Sequence, residues 1–112
     1  MRHRILHVFL LALTLTACGP VGPGSRVVGG PCRDDVDCAR GGVCLTGRDY
    51  PDGMCALQCR DSRDCPRSAE CADRSGGVCL QLCDVDADCR GGYACKNKKV
   101  KHGPDAPMCV RD

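Results

Sequence analysis

The sequence predicts a small disulfide-rich fold: three tandem modules of short hairpins and turns, with little regular secondary structure and a minimal hydrophobic core. Thirteen cysteines among 112 residues exceed the roughly 8–10% that marks a disulfide scaffold. Beyond residue 18 the chain has no Trp, Phe or Ile, and its aromatic residues are Tyr50 and Tyr93. Because so few large apolar side chains cannot build a conventional core, we expect cross-links to supply much of the stability. Cysteine usage of this kind indicates an oxidising compartment.

The first 17 residues have the features of an export signal. Arg2 and Arg4 form a short basic start, and residues 5–17 form an apolar run of 13 residues. This length fits a signal peptide and is too short for a transmembrane helix, which needs about 20 residues. Removal of residues 1–17 would leave 14 basic and 14 acidic side chains. The formal neutrality of that product gives no indication of nucleic-acid or membrane-surface binding.

Cys18 is the predicted lipid-attachment site. The run Leu15-Thr16-Ala17-Cys18 resembles the bacterial lipobox. This resemblance implies that the Cys18 thiol carries a diacylglyceryl group, that the signal is cut after Ala17, and that the new amine is acylated, often with palmitate. An ordinary secretory signal is the alternative, but thirteen is odd, and setting Cys18 aside leaves twelve cysteines that can all pair. Because Gly19 and not Asp follows, the resemblance also implies sorting to the outer membrane of a two-membrane cell envelope.

Residues 18–31 are predicted to be the lipidated cysteine and a flexible tether. Residues 19–31 contain five Gly and three Pro, a composition typical of a linker without a packing face. Such a tether has a reach on the order of 20 Å.

The remaining cysteines follow one spacing three times. Each unit reads C-x5-C-x5-C-xn-C, with n of 10, 7 and 13, and C-x3-C joins successive units. This period predicts repeats at 32–58, 59–82 and 83–112. An Asp precedes the second cysteine of every unit. The predicted disulfide cysteines are Cys32, Cys38, Cys44, Cys55, Cys59, Cys65, Cys71, Cys79, Cys83, Cys89, Cys95 and Cys109.

Short hairpins are the predicted secondary structure of each repeat, because apolar residues occur singly between turn-forming residues. In repeat 1 the pattern predicts a hairpin from residues 41–46 to residues 53–57, closed by Tyr50-Pro-Asp-Gly53. Gly76-Gly77 is the corresponding turn in repeat 2. Four cysteines per unit allow three pairings, which spacing alone does not resolve.

The segment Cys32-Arg-Asp-Asp-Val-Asp-Cys38-Ala-Arg-Gly-Gly-Val-Cys44 resembles the Dickkopf N-terminal cysteine-rich region and EB-type modules, and more distantly whey-acidic-protein domains. Residues 83–95 match the same half-module, whereas residues 66–70 lack its glycine. Tandem copies behind a lipobox are also similar to cysteine-rich lipoproteins of myxobacteria. The resemblance implies an extracellular binding or adaptor module. By analogy with small tandem modules, it favours pairing of the first with the third cysteine and of the second with the fourth.

Calcium and zinc are the metals to consider. Asp84, Asp86 and Asp88 place carboxylates at alternate positions and are a weak calcium candidate. The alternative is that these Asp residues cap turns through backbone N–H groups, which explains their recurrence. Structural zinc sites favour C-x2–4-C pairs with histidines, whereas x5 spacing dominates here and His102 is the one histidine after residue 18. No cofactor is predicted.

The chain contains no recognisable catalytic constellation, because a nucleophile needs a histidine within hydrogen-bonding reach and His102 has no identifiable partner. A thioredoxin-like role would need C-x-x-C, which does not occur. A disulfide-clamped protease-inhibitor loop at residues 46–53, with Arg48 exposed, is the most specific alternative function, because such rigidity reduces the entropy cost of binding. A calcium-stabilised adhesion module is another.

All four lysines of the chain lie in the third long loop, which could hold an anionic partner or could be a solvated, disordered loop. The sequence therefore predicts a membrane-anchored, non-enzymatic binding or structural module of the cell envelope. Its expected partners are the membrane, through the anchor, and an extracytoplasmic protein or polysaccharide. The candidate contact residues are Lys96, Lys98, Lys99 and Lys101.

Overall fold

The computed structural model of the chain describes residues 19–112. The predicted signal peptide and the predicted lipid site Cys18 lie outside the described residues. The described part folds as three two-stranded antiparallel hairpins, each preceded by a short 3₁₀ turn. No helix among residues 19–112 is long and apolar enough to cross a membrane.

Each hairpin and its turn belong to one cysteine repeat, as the spacing predicts. The 3₁₀ turns span Asp35–Asp37, Ser62–Asp64 and Asp86–Asp88. The hairpins pair β1 (Val43–Leu45) with β2 (Met54–Ala56), β3 (Ala69–Ala72) with β4 (Val78–Gln81), and β5 (Tyr93–Lys98) with β6 (Ala106–Arg111).

Two disulfides fasten each 3₁₀ turn to its hairpin. The third and fourth cysteines face each other across the paired strands, as Cys44 faces Cys55 in repeat 1. Each is bonded to a cysteine that flanks the 3₁₀ turn and not to its cross-strand neighbour. The first cysteine pairs with the third and the second with the fourth, which is the connectivity suggested by analogy. The bonds are Cys32–Cys44, Cys38–Cys55, Cys59–Cys71, Cys65–Cys79, Cys83–Cys95 and Cys89–Cys109.

The core is small and lies where the three hairpins meet. Leu80 and Met108 are fully buried at its centre, and both tyrosines of the chain pack into it. The residue before the first cysteine of repeats 2 and 3 forms an isolated β-bridge with the hairpin that follows. Gln58 forms an antiparallel bridge with Val78, and Leu82 forms one with Met108. The repeats are therefore joined by backbone pairing as well as by side-chain packing.

The prediction of a flexible tether without a packing face is wrong for residues 19–31, which we call the N-terminal segment. Val28 is fully buried against the disulfides of repeat 2. Gly29 N–H donates to Cys55 O at 2.9 Å, and Cys55 N–H donates to Gly30 O at 2.8 Å. Gly30 thus supplies a backbone hydrogen-bond acceptor to β2. Leu57 supplies the equivalent acceptor to β4, where Cys79 N–H donates to Leu57 O.

Close packing is the physical reason for these glycines. A Cβ on Gly30 would overlap the carbonyl oxygen of Ser25, and one on Gly29 would overlap that of Gly22. Gly29 also has a φ of +115°, which side-chain-bearing residues rarely adopt. A glycine-rich composition is compatible with flexibility and with tight backbone packing alike. The N-terminal segment therefore packs against repeat 1 ahead of its first cysteine, Cys32.

Candidate functional site

The recurring aspartates close the 3₁₀ turns. Asp37 Oδ2 accepts hydrogen bonds from Arg33 N–H at 2.8 Å and Asp34 N–H at 3.3 Å. Asp88 does the same with Asp84 N–H at 2.8 Å and Val85 N–H at 3.2 Å, and Asp64 accepts from Arg60 N–H at 2.9 Å. The interpretation of these Asp residues as turn caps is confirmed.

A second side chain in each turn ties it to the hairpin, and the sequence reasoning missed it. Asp35 Oδ1 accepts from Cys44 N–H at 2.8 Å, and Asp86 Oδ1 accepts from Cys95 N–H at 2.8 Å. Ser62 Oγ accepts from Cys71 N–H at 3.0 Å in repeat 2. The signal was present, because the residue three places after the first cysteine always has a short oxygen-bearing side chain.

These contacts leave the calcium candidate without geometric support. Two of its three carboxylates, those of Asp86 and Asp88, bind backbone N–H groups of their own repeat. Among the described residues, the groups of three potential metal ligands within 4.8 Å of one another consist of cysteine sulfurs. Those sulfurs are all in disulfides. The structure therefore does not bring Asp84, Asp86 and Asp88 together as a ligand set.

We expect the turns to weaken in acid. Backbone N–H donation from Arg33 and Asp34 lowers the pKa of Asp37 below its ordinary value of 3.8, and similar donation lowers the pKa values of Asp64 and Asp88. A lowered folded-state pKa contributes stability that is complete above the unfolded value and is lost as the pH falls through the folded value. The melting temperature should therefore fall with pH below about 4.

The variant that tests this carries Asp37→Asn, Asp64→Asn and Asp88→Asn. It should be less stable than the unmodified protein at neutral pH and lose less of its stability between neutral pH and pH about 2. Asp105→Asn, in an exposed loop, is the matched control and should retain the full acid dependence. Thermal unfolding followed by circular dichroism at several pH values measures both effects, and an unchanged slope in the triple variant would contradict the assignment.

The lysine loop is mostly folded. Lys96 and Lys98 lie on β5, opposite Met108 and Ala106 of β6. After β5 the chain docks on repeat 2, where Asp73 N–H donates to Lys99 O at 2.9 Å and Lys101 N–H donates to Cys71 O at 2.8 Å. The alternative of a solvated, disordered loop is therefore wrong.

The four ammonium groups have different surroundings. Lys99 Nζ lies 3.6 Å from Asp73 Oδ2, and Lys101 Nζ donates to Gly76 O at 3.2 Å. Lys96 Nζ approaches Arg111 O at 3.4 Å. Lys96 and Lys98 are two residues apart on one strand, so they share a face of the hairpin, and both are exposed. They form the part of the candidate anionic-partner loop that is presented to solvent on β5.

An open cleft of about 330 Å³ lies between the loop that joins β5 to β6 and the second 3₁₀ turn. Asp61, Glu70 and Asp105 line it together with Lys101 and His102. Acidic and basic side chains are mixed there, so the cleft does not present one sign of charge to a ligand.

The loop at residues 46–53 has a shape unlike that of an inhibitor loop. Tyr50 N–H donates to Gly47 O at 3.0 Å, and Gly53 N–H donates to Tyr50 O at 2.9 Å. These bonds close two consecutive turns, with Arg48 inside the first. A substrate-like segment has to be extended to enter a protease cleft, and the turns place Arg48 in a folded backbone instead.

That loop is also fastened to the other repeats. Tyr50 is buried, and its hydroxyl lies 2.9 Å from Ser75 Oγ. Asp49 lies between two arginines of different repeats, 3.8 Å from Arg74 and 3.9 Å from Arg111. The loop is therefore part of the junction between the repeats.

Arg90 completes this junction from repeat 3. Its guanidinium donates to the carbonyl oxygens of Pro51 at 2.8 Å, of Gly53, and of Gly29 at 3.3 Å. It also lies over the ring of Tyr93, 4.7 Å from the centroid. Burial raises the pKa of Tyr93 above its ordinary value of 10.0, while the nearby guanidinium opposes this shift. The phenol stays protonated at neutral pH and donates to Pro51 O at 2.9 Å.

The N-terminal segment forms a surface of its own. Residues 19–27 line an open hollow of about 620 Å³. Arg26 reaches from this segment to the first 3₁₀ turn, donating to Asp37 O at 2.9 Å and to Val36 O at 3.5 Å. Val36 is 81% exposed beside it. This surface lies directly after the predicted lipid site.

No family model, curated protein or solved structure matches the chain. The likeness to the Dickkopf cysteine-rich region and to EB-type modules therefore stays a prediction based on spacing.

Proposed function

We propose that the chain is an exported lipoprotein, anchored through Cys18, whose three-repeat domain is a non-enzymatic binding or structural module of the cell envelope. The observation that carries this proposal is the complete pairing of the twelve cysteines from Cys32 to Cys109 among themselves. This pairing accounts for every cysteine of the chain except Cys18, which the lipobox resemblance assigns to acylation. Six disulfides also favour an oxidising, extracytoplasmic compartment.

Two features support a binding or structural role over catalysis. The aspartates that recur in the repeats hold backbone N–H groups and fasten the turns. His102 lies exposed in the loop between β5 and β6. We expect the partner to be an extracytoplasmic protein or polysaccharide. Lys96 and Lys98 on β5 are the residues that would hold its negative charges.

Replacing Cys18 with alanine should abolish acylation. Cells that express the wild-type chain or Cys18→Ala are grown with an alkyne analogue of palmitate. The alkyne is coupled to a fluorophore, and the protein is then isolated. We expect labelled wild-type protein in the membrane fraction and no label on Cys18→Ala, since the thiol is the site of acyl transfer.

Thr16→Ser is the matched control, because it keeps a small residue in the lipobox, and it should be labelled like the wild type. Label on the Cys18→Ala chain, or unlabelled wild-type protein recovered without detergent, would refute the anchoring.

A further inference from the structure

We propose that the N-terminal segment, together with Val36, rests on the bilayer that holds the anchor, so that the domain lies on the membrane and does not stand off from it. This inference rests on the proposed acylation of Cys18. It adds an interaction surface and its partner, a lipid headgroup layer.

The chain between the proposed anchor and the first hydrogen-bonded residue of the domain is short. Gly19 alone separates Cys18 from Pro20. The carbonyl oxygen of Pro20 accepts hydrogen bonds from Val28 N–H at 3.1 Å and from Ser25 Oγ at 3.0 Å. Two residues of extended chain span at most about 7 Å. An acyl group on Cys18 would therefore place the held part of the domain within the depth of the headgroup layer.

The N-terminal segment is attached to repeats 1 and 2. Val28 is fully buried on repeat 2, and Ala39 N–H donates to Arg26 O at 2.7 Å in repeat 1. The backbone bonds between Gly29, Gly30 and Cys55 hold the residues that follow. Because residues 26–30 are held by the domain and Val28 N–H donates to Pro20 O, the anchor would set the orientation of the whole domain and not only its location.

The exposed chemistry of the segment fits a bilayer interface. Pro20 and Pro23 are exposed, and so is the apolar side chain of Val36, whose carbonyl oxygen accepts from Arg26. Arg26 is the one charged residue among residues 19–31. Its exposed guanidinium is suited to hydrogen bonds with lipid phosphates. The surface has few large apolar side chains, so we expect it to be held on the membrane by the anchor and not by affinity of its own.

The fluorescence of an introduced tryptophan measures this contact without background from other tryptophans, because the chain contains no Trp. Val36→Trp places a probe on the proposed surface. Arg48→Trp places the control probe in the exposed turn of repeat 1 at the junction with repeats 2 and 3. Both acylated full chains are reconstituted in phosphatidylethanolamine–phosphatidylglycerol vesicles with and without brominated acyl chains.

We expect the Val36→Trp emission to shift to the blue, to lose intensity in brominated vesicles, and to become shielded from acrylamide. The Arg48→Trp emission should show none of these changes. Equal quenching of both probes by brominated lipid, or of neither, would overturn the inference. Shielding of the Val36→Trp probe from acrylamide without quenching by brominated lipid would show that another protein copy covers this face, and would also overturn it.

Mass spectrometry of the same preparations separates the two proposals. An unmodified Cys18 refutes the anchoring itself. Acylated protein with indistinguishable probes refutes the membrane-facing surface and leaves the anchoring intact.

Discussion

Removing one bridge from the middle repeat, by the double substitution Cys65→Ala and Cys79→Ala, is expected to lower the free energy of unfolding by about 3 kcal/mol. The bond closes a loop with a sequence separation of 14 residues, so its loss enlarges the entropy of the unfolded chain. Cys79 is also fully buried, in the cluster that receives Val28. For a domain of this size, the melting temperature should fall by roughly 12–24 °C.

Cys18→Ala is the matched control, because it removes a cysteine without removing any of the six bridges. We expect its melting temperature to equal that of the wild type. Calorimetry of the three proteins under non-reducing conditions measures the difference. Equal destabilisation by the single and the double substitution would show that the loss of a thiol, and not of the bridge, is responsible.

Arg90→Ala should also cost about 3 kcal/mol, because it removes several hydrogen bonds of a charged donor and takes this donor from the carbonyl groups of the buried Gly53 and Gly29. The affected acceptors belong to Pro51, Gly53 and Gly29. The substitution therefore removes the hydrogen bonds of Arg90 that join repeat 3 to repeat 1 and to the N-terminal segment. Arg90→Lys should be intermediate, since an ammonium keeps the charge but lacks the planar fork.

Arg63→Ala is the control for the loss of an arginine. Its side chain is 92% exposed and pairs with Asp61 at 2.9 Å. An exposed ion pair of this kind contributes little to stability, because water screens it. Urea unfolding of the three variants gives the ranking, and equal losses for Arg90→Ala and Arg63→Ala would contradict the assigned role of Arg90.

The internal organisation of each repeat could be predicted because the same residue pattern occurs three times in the sequence. The spacing of the cysteines predicted the repeats, and single apolar residues between turn-forming residues predicted the hairpins. The recurrence of Asp37, Asp64 and Asp88 predicted the capped turns. Both depend on short sequence separations, so a local pattern contains the information. The order of the disulfides was not contained in the spacing and came from analogy.

The polar contacts between the repeats could not be predicted, because they are made by residues that depart from the period. Arg90 follows the second cysteine of repeat 3, where the other repeats have Ala39 and Pro66. Tyr50 likewise has no aromatic equivalent five residues before the fourth cysteine of repeats 2 and 3. These positions do not repeat along the chain, although they determine how the modules pack.

The composition of the N-terminal segment did not predict its packing. A segment rich in glycine and proline predicts a linker as long as the residues that pack against it are not known. Here Gly29 and Gly30 permit a close backbone approach that any larger residue would prevent. What distinguishes the two cases is the carbonyl oxygens that lie opposite them, and these come from Gly22 and Ser25 only after the segment has folded on itself.

The most direct test of the central claim is the intact mass of the native, detergent-extracted protein, treated with iodoacetamide before and after reduction. We expect a chain that starts at Cys18 and carries acyl groups, with no alkylation before reduction and twelve added labels after it, one for each cysteine of the six bridges. A native sample that takes up label on several cysteines, or that has an unmodified thiol at Cys18, would contradict it.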